Sequence, residues 1–559
     1  MKKVLSILSL ICLSGNVLLS SISCTNNNTS NKEDANKEVE NLTKINLING
    51  SRLTSPNYNE RYYNKFHVDT PDKKGMLNDM QGAWFDGTYW HLYFLYNSEA
   101  NYNENGEQIG KNGTEWFHMQ TKDFVNYEYK GLAVKKWNSK GWGDAAGGTL
   151  FIDKDGDFNV KNLKNGRVSI STGYGGEKGQ NILAYYSNPG ENGEGNDFGY
   201  NFNPLNDSEP ILKNNQPEGT YPDFRDPHFF KKDGKFIMYV SQLDKFGVYV
   251  SENPLKGYEH KGDYYAKHAM VECANLFELN VNGDKNSKKY IMIYGGNGNN
   301  DNGQPEFIDN LGTGTYYSIG HLNENFVFVE EQGPKRLDFG ADFYAAKFFE
   351  DTKENDDDLG KYLIGTGWMS SWDYNRIVPN TGYWGNMSLA RKILLVKNDE
   401  GIYSLKQSFI DNENLESSSY GNESFFVDRT LKGGSYKLDL EFKNTDKSKG
   451  IINLVFNDET YKNTLKLDFN DNQISTYRSS LDETIKNNNG FIQKRKYSAN
   501  INKLNKAKIS LYVDTTSIEA IMPDGSTISL VKFPDGKSVE KLTLESSTKI
   551  SFNYDYYQY

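Results

Sequence analysis

The sequence predicts an all-β protein, read from the residues as a β-propeller or several sandwiches over about residues 50–400, with a further antiparallel sandwich after them. Three observations predict it. Aromatic content is 14%, with 38 Tyr and 31 Phe, in short runs divided by Asn, Asp and Gly. Asp86-Gly87 and Asp233-Gly234 sit between such runs, as hairpin turns do. Helical periodicity is scarce. Repeats of fixed period are also wanting, so a propeller does not follow from periodicity.

The first 23 residues read as a targeting segment. Lys2-Lys3 precede an apolar stretch from Val4 to Leu19, and Ser20, Ser21 and Ser23 lead into Cys24. Small residues before a Cys resemble a bacterial lipobox, although Ser21 stands where Leu is usual. The expectation is a lipid anchor on Cys24 at the outer face of the cell membrane, with a plain secretory signal as the alternative. Residues 24–48 hold Asn, Thr, Ser, Lys and Glu and little to bury, so they read as a flexible tether.

From residue 49 to about 405 strand-like runs recur, including Ile182-Leu183-Ala184-Tyr185-Tyr186 and Lys235-Phe236-Ile237-Met238-Tyr239-Val240. Near 405–420 the composition shifts to Asn, Glu, Ser and Gly. Beyond it, residues 415–559 contain runs such as Tyr436-Lys437-Leu438-Asp439-Leu440-Glu441-Phe442 that alternate with period two. That is the pattern of a sandwich with one solvated face per sheet.

The chain has 559 residues, room for roughly two to four domains. Its net charge of −11 argues against nucleic acid and suits a neutral substrate. Of three Cys, Cys12 and Cys24 lie in the leader, leaving Cys273 and no internal disulfide.

Three stretches carry acids at the edges of apolar runs: Met76-Leu77-Asn78-Asp79-Met80-Gln81-Gly82, Phe224-Arg225-Asp226-Pro227 and Val271-Glu272-Cys273-Ala274. Asp79 is expected at the start of a strand, where the bland reading is a turn cap. Cleaving a glycosidic bond with retention needs a carboxylate nucleophile and a carboxylic acid about 5 Å apart. Arg225 is expected to keep Asp226 ionised, and apolar neighbours to raise the pKa of Glu272. With 74 acidic residues in the chain, chemistry alone leaves the assignment open. Asp153-Lys154-Asp155-Gly156-Asp157 has the look of a calcium loop, but Phe158 stands where that loop needs Gly, so a hairpin turn is expected. Cys273 reads as a buried apolar residue.

These stretches resemble glycoside hydrolase family 32, the β-fructosidases. Asn78-Asp79-Met80-Gln81-Gly82 is similar to the family's Asn-Asp-Pro-Asn-Gly, Arg225-Asp226-Pro227 to its Arg-Asp-Pro, and Glu272-Cys273 to its Glu-Cys. In the same order come segments like its other motifs at Trp116-Phe117-His118, Asp338-Phe339-Gly340-Ala341-Asp342-Phe343-Tyr344-Ala345 and Gly367-Trp368-Met369-Ser370-Ser371-Trp372-Asp373-Tyr374. The resemblance implies a five-bladed propeller followed by a C-terminal sandwich. It implies Asp79 as nucleophile, Glu272 as acid/base and Asp226 as transition-state stabiliser. Asn78, Trp116, Arg225 and Asp338 would hold the fructosyl ring, with no metal or organic cofactor. Trp116 and Trp368 also read simply as core residues.

Departures from the family refine the expectation. Met80-Gln81 replaces Pro-Asn, Leu95 stands where many sucrose-cleaving members have Gln, and Ala146-Gly147-Gly148-Thr149 replaces a Ser-Gly-Ser stretch. Asn112-Gly113-Thr114-Glu115-Trp116 and Tyr383-Trp384-Gly385-Asn386 resemble the levan-processing branch. The favoured substrate is a β-2,6-linked fructan or fructosyl oligosaccharide. Sucrose, sucrose phosphate, inulin, fructosyl transfer and a non-catalytic fructan-binding surface lipoprotein stay open, as do endo or exo action and oligomeric state.

Overall fold

A computed structural model of the chain describes residues 42–52, 60–103, 105–107, 109, 113–160, 165–175, 179–187, 199–214, 222–297, 313–351, 359–411, 416–417, 419–422, 431, 434–443, 445 and 450–559. The targeting segment with Cys24, most of the expected tether, and Asn112 lie outside these residues.

After β1 (Thr43–Arg52), five sheets follow one another along the chain. The first blade is β2 (Gly75–Phe85), β3 (Trp90–Asn97), β4 (Glu115–Thr121) and β5 (Tyr127–Val134). The second is β6 (Gly143–Asp153), β7 (Gly166–Gly175), β8 (Asn181–Ser187) and β9 (Asn203–Pro204). The third is β10 (Arg225–Lys232), β11 (Lys235–Gln242), β12 (Lys245–Ser251) and β13 (Glu259–Tyr265). The fourth is β14 (Met270–Val281), β15 (Asp284–Asn297), β16 (Gly314–Leu322) and β17 (Phe328–Arg336). The fifth is β18 (Tyr344–Glu350), β19 (Leu363–Trp368), β21 (Arg391–Lys397) and β22 (Tyr403–Phe409). Between β19 and β21, β20 (Tyr383–Trp384) crosses to the first blade and pairs in parallel with β2 at Met76.

The first strands β2, β6, β10, β14 and β18 touch in turn, and β18 touches β2, so the ring closes. Each seam between neighbouring blades has its own apolar core. Trp84, Tyr93 and Trp116 meet Leu183 and Tyr185 at the first seam. Ile170 meets Phe229, Val248 meets Leu276, and Ile293 meets Phe348 at the next three. Trp90 and Phe94 meet Phe349 and Ile364 where the ring shuts. A blade is thus covered on both faces, and β3 and β8 are buried along their whole length. Such strands read as continuous apolar runs without alternation.

The C-terminal part is a sandwich of two six-stranded sheets around one core. Here strand Tyr436–Lys443 alternates buried and half-buried residues, the period expected when one face is wet. Two expected boundaries move. Residues 43–48, read as tether, begin β1, which pairs antiparallel with Val539–Ser546 of the sandwich. The last blade continues past 405 to Phe409.

Buried ion pairs dock the two parts. Arg391 donates to Asp338 at 3.0 Å and to Glu519 at 2.9 Å. His67 sits between Asp514 at 3.0 Å and Glu519 at 2.9 Å. These two carboxylates push the His67 pKa up to about 9 against the opposing effect of burial. Arg478 of the sandwich donates to Asp342 at 2.6 Å.

Candidate active site

The five inner strands share a local feature. Each carries a β-bulge near its beginning: Leu77–Met80 in β2, Ala145–Gly148 in β6, Arg225–His228 in β10, Glu272–Asn275 in β14 and Tyr344–Lys347 in β18. In the last three the second residue, Asp226, Cys273 or Ala345, has φ near +50°, the left-handed region disfavoured for side chains. A bulge bends its strand and re-aims side chains, and bulges gather beside active sites. Asp79, Asp226 and Glu272 all project from these bulges. Asp79 is the fifth residue of its strand rather than its first, so the turn-cap reading does not hold.

Cys273 marks where the acids meet. Its Sγ lies 3.8 Å from Asp79 Oδ2 and 3.6 Å from Asp226 Oδ2. It is free and buried as expected, yet it packs against two carboxylates rather than only apolar groups. Burial, followed by the charges of Asp226 and Glu272, pushes the Asp79 pKa up to about 8. Burial and then Glu272 raise Asp226, with Arg225 opposing.

Arg225 differs from expectation. Its Nε donates to Glu272 at 2.9 Å and its Nη1 to Asp223, leaving Asp226 without an arginine hydrogen bond. Asp226 is positioned instead by its own amide, which donates to Thr172 Oγ1 at 3.0 Å. Glu272 sits in a polar setting, contrary to the apolar one expected. Besides Arg225, the Tyr344 hydroxyl donates to its Oε2, and Asn297 Nδ2 donates to Tyr344 at 2.7 Å and to Glu272 at 3.4 Å.

Asn78 donates to Asp79 Oδ1 at 3.1 Å, and its own Oδ1 has no partner among the described residues. Trp116 is fully enclosed and its indole donates to Ala146 O at 2.9 Å. It offers no face to a sugar and buttresses the β6 bulge. Trp368 is also fully enclosed. Asp338 is not in the site. It is fully buried at the domain junction, held by Arg391 and by the Ser529 amide at 3.0 Å. Two of the three departures from the family touch each other: Gly148 N donates to Gln81 Oε1 at 2.6 Å.

Sequence reasoning missed Asp223, Asn297 and Lys347, and gave Tyr344 no role. Tyr344 stood inside a quoted motif. Lys347 was marked by a charge within the apolar run Tyr344-Ala345-Ala346-Lys347-Phe348-Phe349. It is buried, and its Nζ donates to Ala274 O at 2.9 Å, inside the bulge after Glu272.

The acidic loop after β6 is a hairpin connection, with β6 and β7 paired antiparallel. Lys231 Nζ reaches Asp155 at 2.8 Å and Asp157 at 2.7 Å, so an ammonium occupies the acidic cluster. Among the described residues no group of three or more His, Cys, Asp or Glu could hold a metal ion.

A ring of five blades with acids on three inner strands, two of them meeting at Cys273, suits a glycoside hydrolase. The family model for the glycosyl hydrolases family 32 N-terminal domain matches residues 67–407, and the chain belongs to that family as an enzyme of the β-fructofuranosidase type. It is 27% identical over 484 residues to a levanbiose-producing levanase of Bacillus subtilis, covering 84% of each chain. With the levanbiose-producing levanase of Geobacillus stearothermophilus it shares 29% over 373 residues, covering 64% of this chain and 84% of the relative. Among solved structures, exo-inulinase from Aspergillus awamori superposes with a TM-score of 0.70 at 22% identity, over 90% of this chain and 99% of that one. A β-fructofuranosidase from Schwanniomyces occidentalis complexed with fructosyl-erythritol gives 0.69 at 18%, over 89% and 99%. These likenesses concern the fold.

Proposed function

We propose that the chain is a retaining β-fructosidase that hydrolyses fructan, with β-2,6-linked levan as its preferred substrate. The observation that carries the chemistry is that Asp79 and Asp226 both meet the thiol of Cys273, the residue after Glu272, whose charge raises the pKa of each. In this reading Asp79 attacks the anomeric carbon of a fructosyl unit. Glu272 gives its proton to the departing oxygen, and a fructosyl ester forms on Asp79. Water, deprotonated by Glu272, then releases fructose or a fructan fragment and frees Asp79. Asp226 stabilises positive charge that develops on the ring. Arg225 and Tyr344 orient Glu272, and Asn78 presents its open Oδ1 to a sugar hydroxyl.

The linkage preference draws on the levanase relatives and on the Gln81–Gly148 contact, which joins two departures into one local feature. Purified protein assayed on levan, inulin and sucrose tests it. Levan should give the highest kcat/KM, and a clear preference for inulin or sucrose would overturn the linkage. The anomer first released, read by NMR, tests retention.

The leader motivates a second proposal, that Cys24 carries a lipid and holds the enzyme on the outer face of the membrane. Cys24→Ala should abolish fatty-acid labelling and release the protein. Unchanged labelling would refute the anchor.

A further inference from the structure

We propose that Lys347 is a positioning residue of the active site, fixing the bulge that carries Glu272 and Cys273 and supplying positive charge that favours the carboxylate forms of Asp79 and Asp226. This rests on the catalytic reading above and gives the β18 bulge, which already supplies Tyr344, a second part in the machinery.

Lys347 closes the bulge of β18, and its Nζ donates to Ala274 O at 2.9 Å in the bulge of β14. A second tie runs parallel to it. Asn275 Nδ2 donates to Ala346 O at 2.9 Å and to Cys273 O at 2.8 Å, and Asn275 Oδ1 accepts from Phe348 N at 2.9 Å. The two bulges are therefore stitched together on both sides of Ala274, and the direction in which Glu272 and Cys273 point depends on that stitching. A lysine is an extravagant choice for one carbonyl. An ammonium is costly to bury, and an amide would serve that bond alone.

The charge explains the choice. Asp79, Asp226 and Glu272 crowd around Cys273, and the guanidinium of Arg225 is committed to Glu272 and Asp223. Arg225 and Lys347 both favour the Asp226 carboxylate, and of the two Lys347 is the one whose hydrogen bond goes to a backbone carbonyl and not to another acid. The groups it faces are Cys273 on β14, Asp226 on β10 and Asp79 on β2. His228 on β10 is a basic neighbour whose Nε2 lies 3.1 Å from Leu276 O and 3.2 Å from Leu276 N, and burial lowers its pKa to about 3, so it adds no charge at neutral pH. Burial lowers the Lys347 pKa to about 8, while the thiol and the two acids pull it back, so the lysine is charged at neutral pH. Removing its charge makes protons harder to remove from Asp79 and Asp226, and the acid limb of kcat/KM must move to higher pH.

The experiment is the pH profile of kcat/KM on the fructan that the wild type cleaves fastest, for Lys347→Met, Lys347→Gln and Lys347→Arg, with a melting curve for each. Lys347→Gln keeps a donor for Ala274 O without the charge. In both neutral variants the acid limb should rise by about one pH unit or more, and alkaline buffer should restore part of the rate. Lys347→Arg should leave the limb in place. A limb that does not move in folded Lys347→Gln and Lys347→Met, with the loss equal at every pH, would overturn the charge role. If the wild type cleaves no fructoside, the catalytic reading itself has failed, which is a separate result.

Discussion

Gly147 lies so close to Asp226 that a Cβ atom built on it would stand 2.1 Å from Asp226 Oδ1. The carboxyl, not the glycine backbone, is what forbids a side chain, because Gly147 has no positive φ. Thr172 Oγ1 holds both sides of this contact, donating to Gly147 O at 2.9 Å and accepting from Asp226 N at 3.0 Å.

Gly147→Ala should therefore push Asp226 out of line while the fold survives. A displacement of this kind costs about 10²-fold in rate. The measurement is kcat on levan and on an activated fructoside, beside a melting curve. A near-normal kcat would show that Asp226 needs no such placement.

Asp338 gives the opposite expectation. Resemblance implied that it holds the sugar, but its carboxylate is bound to Arg391 and Ser529 across the domain junction. Asp338→Ala takes one of two carboxylates from a buried guanidinium that keeps Glu519, and leaves the Ser529 amide unmatched, a loss of about 1–3 kcal/mol. The melting temperature should fall, with KM for fructan unchanged in the folded fraction. A raised KM with unaltered melting would return Asp338 to the sugar site.

His67 makes the same junction sensitive to pH. Its pKa rises from 6.5 to about 9 on folding, so the folded protein holds a proton that the unfolded chain gives up sooner. The stability this pair contributes is complete below pH 6.5 and is lost as pH rises through about 9. His67→Phe should melt lower at pH 6 and show a flatter decline from pH 7 to 10. Parallel decline in both proteins would disprove the link.

How much of this was legible follows from burial. The sandwich strands alternate because one face is wet, and Tyr436–Lys443 shows it directly. The blades are covered on both faces, so β3 and β8 carry no period and the fivefold repeat went unseen. What does repeat is the bulge, and a bulge is a backbone feature met by residues as unlike as Asp226, Cys273 and Ala345. Asp79, Asp226 and Glu272 were visible because each stood against an apolar run. The partners of Arg225 were not, since an arginine beside Asp226 in sequence points away from it once φ at Asp226 is positive. Asp338 failed for a related reason: a motif gathers residues that act together in the chain, and this one spans both the domain junction and, through Tyr344, the acid Glu272.

The catalytic pair makes the last prediction, because Asp79 and Glu272 have different jobs and different settings. Folding raises the Asp79 pKa from 3.8 to about 8. Between those values the folded protein keeps a proton that the unfolded chain releases, so this site weakens the fold as pH rises from 4 to 8 and most above it. Asp79→Asn removes that cost together with the nucleophile. It should melt higher than the wild type, by more at pH 9 than at pH 5, and be inactive on every fructoside, the usual trade of stability for function. Glu272→Gln removes proton donation and the later base but leaves Asp79 in place. An activated fructoside needs little protonation, so its first step should survive, and breakdown of the fructosyl ester should be slow. Azide added to Glu272→Ala should speed turnover and give a fructosyl azide of retained configuration. Mass spectrometry of the accumulated ester should place it on the peptide containing Asp79. An adduct on another residue, or activity in Asp79→Asn, would defeat the assignment, and a lower melting point for that variant at pH 9 would defeat the account of its charge.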